Sequence, residues 1–164
     1  MKILIFTEGT ILMHKNGWGL KREKIVKQVQ DNIDSSLHDY NSYIPIGNAV
    51  DKIKSWYGQG AKIFYLTSRK TSGEINDIKR VMQKYEFPAG QLLARKNNEE
   101  YKDVAEKIMP DVLIEDDCES IGGEKEMTIT FMRPEIKQKI KSVAIKEFGG
   151  IDSLPDKINE ILNY

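Results

Sequence analysis

A single cysteine, Cys118, five prolines and two histidines among 164 residues exclude several protein classes at once. One thiol cannot close an internal disulfide, so nothing points to an oxidising compartment. His14 and His38 have no paired metal-ligand spacing and read as surface residues. Long apolar runs are absent too: Ile3-Leu4-Ile5-Phe6 is too short for a signal peptide, and no stretch approaches a membrane span. Neither sign of charge prevails, because 25 Lys and Arg balance 25 Asp and Glu. A nucleic acid or an anionic membrane as main partner would call for a basic excess, and the sequence has none. At 18.8 kDa, residues 1–164 read as one cytoplasmic domain, alone or as a homo-oligomer.

What is present is an alternation of short apolar runs with amphipathic segments. Ile3–Phe6 reads as a buried strand, Ile63-Phe64-Tyr65-Leu66 as a second, Leu92-Leu93-Ala94 as a weaker third and Val112-Leu113-Ile114 as a fourth. Helical spacing recurs through Ile25, Val26, Val29 and Ile33, and through Ala49, Val50, Ile53, Trp56 and Tyr57. Thr71 and Glu74 have capping-box spacing ahead of Ile75, Ile78, Val81, Met82 and Tyr85. Tyr101, Val104, Ala105 and Ile108 make a further helix, stopped by Pro110. Met127–Met132 reads as a fifth strand, Ile136–Ile145 as a helix, and Ile158, Ile161 and Leu162 as a last short one. Five strands separated by helices predict an α/β fold, a doubly wound, mostly parallel five-stranded sheet covered on both faces. Residues 11–43 are long for a strand-to-helix connection and carry their own helical pattern, so they read as a small cap-like insertion. Trp18, Tyr40 and Tyr43 in it could line a lid, but the insertion's own small core is the favoured reading.

In such a sheet, ligands bind beyond the carboxyl ends of the strands. Glu8 and Thr10 follow the first strand; Thr67, Ser68 and Arg69 the second; Arg95 and Lys96 the third. Glu115, Asp116, Asp117 and Glu119 follow the fourth, and Lys102 opens the helix leading into it. Hydroxyls, cations and carboxylates on one edge suit a phosphoryl group and a divalent cation. Plainer roles stand beside this one. Glu8 could cap its turn, Thr67 could satisfy a strand-end backbone group, and Lys102 could be a solvated charge. Asp116 and Asp117 are the strongest pair, because adjacent carboxylates at a buried strand end repel and want a cation or Lys102 nearby. Cys118 is a poor nucleophile beside them, since acidic neighbours raise a thiol's pKa.

The order of these elements resembles the haloacid dehalogenase (HAD) superfamily. Ile5-Phe6-Thr7-Glu8-Gly9-Thr10 is similar to the family's first motif, a strand followed by Asp-x-Asp-Gly-Thr. Thr67, in its Leu-Thr-Ser-Arg run, resembles the second-motif hydroxyl, Lys102 the third-motif lysine, and Asp116-Asp117 the fourth-motif acidic pair. The resemblance implies a Rossmann-like core with a small helical cap. It also implies Mg2+ held by Asp116, Asp117 and the Glu8 region, and a phosphorylated small molecule gripped by Thr67, Ser68 and Lys102. It fails at the nucleophile. Aligned on Gly9-Thr10, Phe6 stands where the family has its nucleophilic aspartate, and Glu8 where it has its acid/base aspartate. A frame shifted by one offers Thr7 and restores no aspartate.

A phenyl ring cannot attack phosphorus, so an aspartyl-phosphate is unavailable from that position. The sequence therefore predicts a protein that binds a phosphorylated small molecule without conventional phosphatase chemistry. The alternative is a magnesium-dependent, nucleotidase-like phosphohydrolase in which Glu8 assists direct attack by water. A receiver domain is disfavoured, because its acidic pair follows the first strand and its lysine the last.

Overall fold

The computed structural model describes residues 1–164, and its core is a sheet of five strands, all parallel. The strands are β1 (Lys2–Phe6), β4 (Lys62–Thr67), β5 (Gln91–Ala94), β6 (Val112–Asp116) and β7 (Lys141–Ile145), in the order β5-β4-β1-β6-β7. Two further strands, β2 (Leu12–Met13) and β3 (Ile44–Pro45), pair antiparallel apart from this sheet. Parallel strands need both faces covered, which is why β1 is apolar at every position after Lys2. Successive side chains go to opposite faces. Ile3, Ile5, Ile63, Tyr65, Val112 and Ile114 enter a core of 23 buried residues with α2 (Ala49–Gly58) and α3 (Ser72–Lys84). Leu4, Phe64, Leu66 and Leu113 enter a core of 11 with α4 (Tyr101–Ile108), α5 (Thr128–Phe131) and α6 (Pro134–Lys137). The predicted α/β fold with a five-stranded parallel sheet is the observed one.

The capping box expected at Thr71 is present: Thr71 Oγ1 accepts from the Glu74 amide and Glu74 Oε2 from the Thr71 amide. Residues 14–43 lie between β2 and β3 and contain α1 (Arg22–Asp31) and three short 3-10 turns. Tyr40 and Tyr43 are buried and belong to the larger core, whereas Trp18 is 73% exposed. The C-terminal segment, ending in a 3-10 helix at Ile158–Asn163, wraps α2. Trp56 Nε1 donates to the Pro155 carbonyl (2.9 Å), and Ile151, Leu154, Ile158 and Ile161 pack into the larger core. No helix is long and apolar enough to cross a membrane.

Two predicted elements are corrected. Met127–Met132 is not a strand: the β-branched run Thr128-Ile129-Thr130 suggested one, but Glu115 accepts from the amides of Thr128 (2.7 Å) and Ile129 (3.0 Å) and starts α5 there. Nor is Ile136–Ile145 a helix. Helix α6 ends at Lys137, and Lys141–Ile145 is β7, the edge strand beside β6. Its inward residues, Val143 and Ile145, stand two apart, a strand's period rather than a helix's.

Candidate functional site

The order β5-β4-β1-β6-β7 puts β1 at the centre, so the chain leaves it first toward β4 and later returns on the other side through β6. A crevice opens beyond the strand ends at such a reversal. A cleft of about 340 Å³ lies there, lined by Phe6, Glu8 and Gly9 after β1, Ser68 and Arg69 after β4, and Glu115, Asp116 and Cys118 at β6. Glu147 and Phe148 line it from the end of β7. The insertion closes its mouth with His14, Val29, Leu37, His38, Tyr40 and Tyr43.

The Glu8 carboxylate is met by four groups of its own chain. Its Oε2 accepts from Thr7 Oγ1 (2.7 Å) and the Ser68 amide (3.0 Å), and its Oε1 from Thr67 Oγ1 (2.5 Å), with Arg69 Nε 3.4 Å away. The carboxylate thus ties the end of β1 to the end of β4. Thr67 and Ser68, expected to grip a phosphate, both bond Glu8 here: Thr67 is fully buried and gives it its hydroxyl proton, and Ser68 its amide.

Asp116 and Asp117 separate rather than act as a pair. Asp116 faces the cleft, its Oδ2 accepting from Thr10 Oγ1 (2.8 Å) and its Oδ1 from the Cys118 amide (3.0 Å). Burial pushes its pKa above the ordinary carboxylate value, against those two bonds. Asp117 accepts from Lys146 Nζ (2.9 Å) and the Glu147 amide (3.0 Å), which outweigh the opposing burial and hold its pKa low. Lys102 is absent from the cleft. Its ammonium pairs with Glu100 Oε2 at 2.8 Å on the outer side of α4, and the neighbouring Tyr101 turns inward instead. The Tyr101 ring meets Phe6 edge-on, with centroids 5.2 Å apart.

Magnesium finds no matching donor set here. No three His, Cys, Asp or Glu side chains converge closely enough to hold a metal. Glu8 is filled by its own donors, Asp117 is turned to Lys146, and Phe6 supplies none, which leaves Asp116 alone among the expected ligands. A hard cation wants more oxygen ligands than that.

Two lining residues, His14 and Glu147, escaped the sequence reading, and Glu115, named there at its strand end, has another task. His14 is 1% exposed rather than on the surface, held by Gln28 Oε1 at 3.1 Å. Glu147 is buried with Ser120 amide and hydroxyl bonds, both 2.6 Å, and Glu115 is committed to α5. Burial raises the pKa of both carboxyls. The Cys118 thiol is pushed up to about 12 by burial, with Asp116 and Glu115 adding to it, so it stays a thiol at neutral pH.

Two expected results follow from this geometry. Gly9 has φ +80°, and a Cβ there would stand 2.8 Å from Asp116 Oδ2. Gly9→Ala should therefore cost about 2 kcal/mol, a melting-point drop near 5 °C; an unchanged melting point would refute the close approach. A carboxyl whose folded pKa is raised keeps its proton longer when folded, so its contribution favours the fold at acid pH. That contribution is lost as pH climbs from the unfolded value, about 4, through the folded one. Asp116→Asn should reduce this loss, leaving the variant relatively more stable at pH 7 than at pH 4 by denaturant titration. An equal difference at both pH values would show that Asp116 is not the titrating group.

No protein-family model matches the chain, and no curated protein matches it. Among solved structures it is similar to a chain in the structure of the Pnkp1/Rnl/Hen1 RNA repair complex, 14% identical over 88% of this chain and 42% of that one, with TM-score 0.54. A second structure of the Pnkp1/Rnl/Hen1 complex gives 11% identity, 88% and 46% coverage and TM-score 0.52. The chain thus spans less than half the length of these relatives. At such identity the likeness is one of fold, the parallel α/β sheet described above.

Proposed function

We propose that this protein binds a phosphorylated small molecule on a HAD-like scaffold and does not turn it over through an aspartyl-phosphate. The observation that carries this reading is Phe6. Its ring lines the cleft floor against Tyr101, where the resemblance would have a nucleophile. Glu8, the remaining candidate for proton transfer, is consumed by Thr7, Thr67 and Ser68. A general base must reach the proton it abstracts, and this carboxylate is already occupied. The cleft volume lies within the usual range for a small-molecule site, and its aromatic walls suit an organic ligand better than a bare ion. The balanced charge, 25 against 25, gives no basic surplus for engaging a polynucleotide.

The deciding assay is phosphate release from a panel of phosphomonoesters, with and without magnesium, beside the Asp116→Asn variant. No release from any substrate, together with a melting point raised by one of them, is the expected result. Magnesium-dependent release lost in Asp116→Asn would overturn the reading in favour of a hydrolase with non-standard chemistry.

A further inference from the structure

Lys102 leaves the cleft without the cation that the family resemblance would place there, yet the cleft has others nearby. Arg69 follows β4 and Arg95 follows β5. The β4–β5 register pairs Thr67 with Ala94, so the next step along each strand sets Arg95 beside Ser68, the residue preceding Arg69. Arg69 lines the cleft and lies over Tyr40 at 4.3 Å; Arg95 is not itself a lining residue but lies over Tyr101, which is, at 3.8 Å. A guanidinium packed flat on a ring keeps its in-plane N–H groups available while losing the freedom to swing away.

Arg69 carries the only buried side-chain nitrogen or oxygen in the protein without a hydrogen-bond partner, its Nε. The Glu8 oxygen 3.4 Å away is a Coulombic neighbour, but the angle does not make a hydrogen bond. One terminal nitrogen donates to Ser68 Oγ, which holds the fork in place. A buried donor left open costs on the order of 1–3 kcal/mol unless something outside the chain satisfies it. Nε itself is sealed beside Glu8, whereas Nη1 of the same fork has no partner in the chain and is not buried, so it is the donor open to a ligand acceptor in the cleft that Arg69 lines.

Charge is also divided across the sheet. Apart from Glu8, the cleft's acidic lining groups, Glu115, Asp116, Glu126 and Glu147, come from the ends of β6 and β7 and the segment that follows β6, on the far side of β1. An anion entering this cleft is repelled from that side and drawn to the β4–β5 side, where both arginines stand. Glu8 lies between the two, but its charge is already spread over Thr7, Thr67 and the Ser68 amide.

We propose that Arg69 and Arg95, each held on a tyrosine, form the anion clamp of this cleft and take the phosphoryl group of a phosphomonoester, in place of Lys102. The clamp rests on the phosphate-binding reading above and adds to it which residues hold the anion. Planar forks match the oxygens of a phosphoryl group two at a time, which a lysine ammonium cannot do.

The test is calorimetric titration of the full chain with inorganic phosphate at pH 7 and low salt. Arg69→Lys keeps the charge and removes the fork, and should weaken binding about tenfold. Arg95→Ala should weaken it by about the same factor, whereas Lys102→Ala should stay within about twofold. Circular dichroism melts accompany each variant, and if Arg69→Lys fails to fold, Arg95→Ala and Arg95→Lys decide. Binding that ignores both arginines, or that falls with Lys102→Ala, overturns the clamp and leaves the phosphate reading standing. No binding to the wild-type chain at tens of millimolar phosphate removes both together.

Discussion

Glu8→Ala should destabilise the protein by about 3 kcal/mol in denaturant titration, although the residue sits in the cleft. Two hydroxyls, one amide and a guanidinium meet on this carboxylate. Removing it strands the Ser68 amide and the buried Thr67 hydroxyl, each costing on the order of 1–3 kcal/mol, and leaves Arg69 without its counter-charge. Glu8→Gln should cost only about 1 kcal/mol, because the amide oxygen still accepts and a hydroxyl can rotate to receive the new N–H. An acid/base residue would behave differently, with both substitutions leaving stability nearly unchanged. Equal, small losses from alanine and glutamine would therefore remove Glu8 from its role as a tie between β1 and β4.

The largest loss is expected at Trp56→Ala, about 4 kcal/mol. The side chain is fully buried in the larger core, and large-to-small changes there combine lost transfer energy with a cavity. Its Nε1–H also donates to the Pro155 carbonyl, so the C-terminal segment loses an anchor along with its packing. Trp56→Phe should cost less, about 2 kcal/mol, and chemical denaturation followed by circular dichroism separates the two. A loss below about 1 kcal/mol for alanine would mean that the segment carrying Pro155 does not close over α2 as described.

Four of the five central strands were legible because a parallel strand buried on both faces must be a continuous apolar run. Ile3–Phe6, Ile63–Leu66, Leu92–Ala94 and Val112–Ile114 are such runs. The edge strand β7 was not, because Lys141, Ser142 and Ala144 dilute it to alternation. The short helix α5 was hidden for another reason: its start depends on Glu115, a residue distant in sequence, while its β-branched residues argue locally for a strand. The site was legible to the level of position. Strand ends brought Glu8, Ser68, Arg69 and Asp116 to one cleft, with Thr67 buried behind Glu8, as the fold class requires. Direction was beyond reach. Whether Lys102 or Tyr101 turns inward depends on the rotation of α4, and whether Asp116 and Asp117 share a partner depends on where Lys146 comes to lie. His14 and Glu147 carried no motif at all, and only the folding of the insertion and of the β7 end over the cleft reveals them.

The placing of β1 between β4 and β6, with residues 151–161 completing the same core, has a consequence for synthesis. The first strand made on the ribosome cannot pair on both sides until β6 has emerged. The larger core, begun with α2 and α3, is completed only when Ile158 and Ile161 are out as well. Contacts of such long sequence separation fold slowly and leave apolar strands waiting. A nascent chain stalled before residue 151 would lack Ile151, Leu154, Ile158 and Ile161, which finish this core, and would leave the Trp56 indole without its Pro155 acceptor.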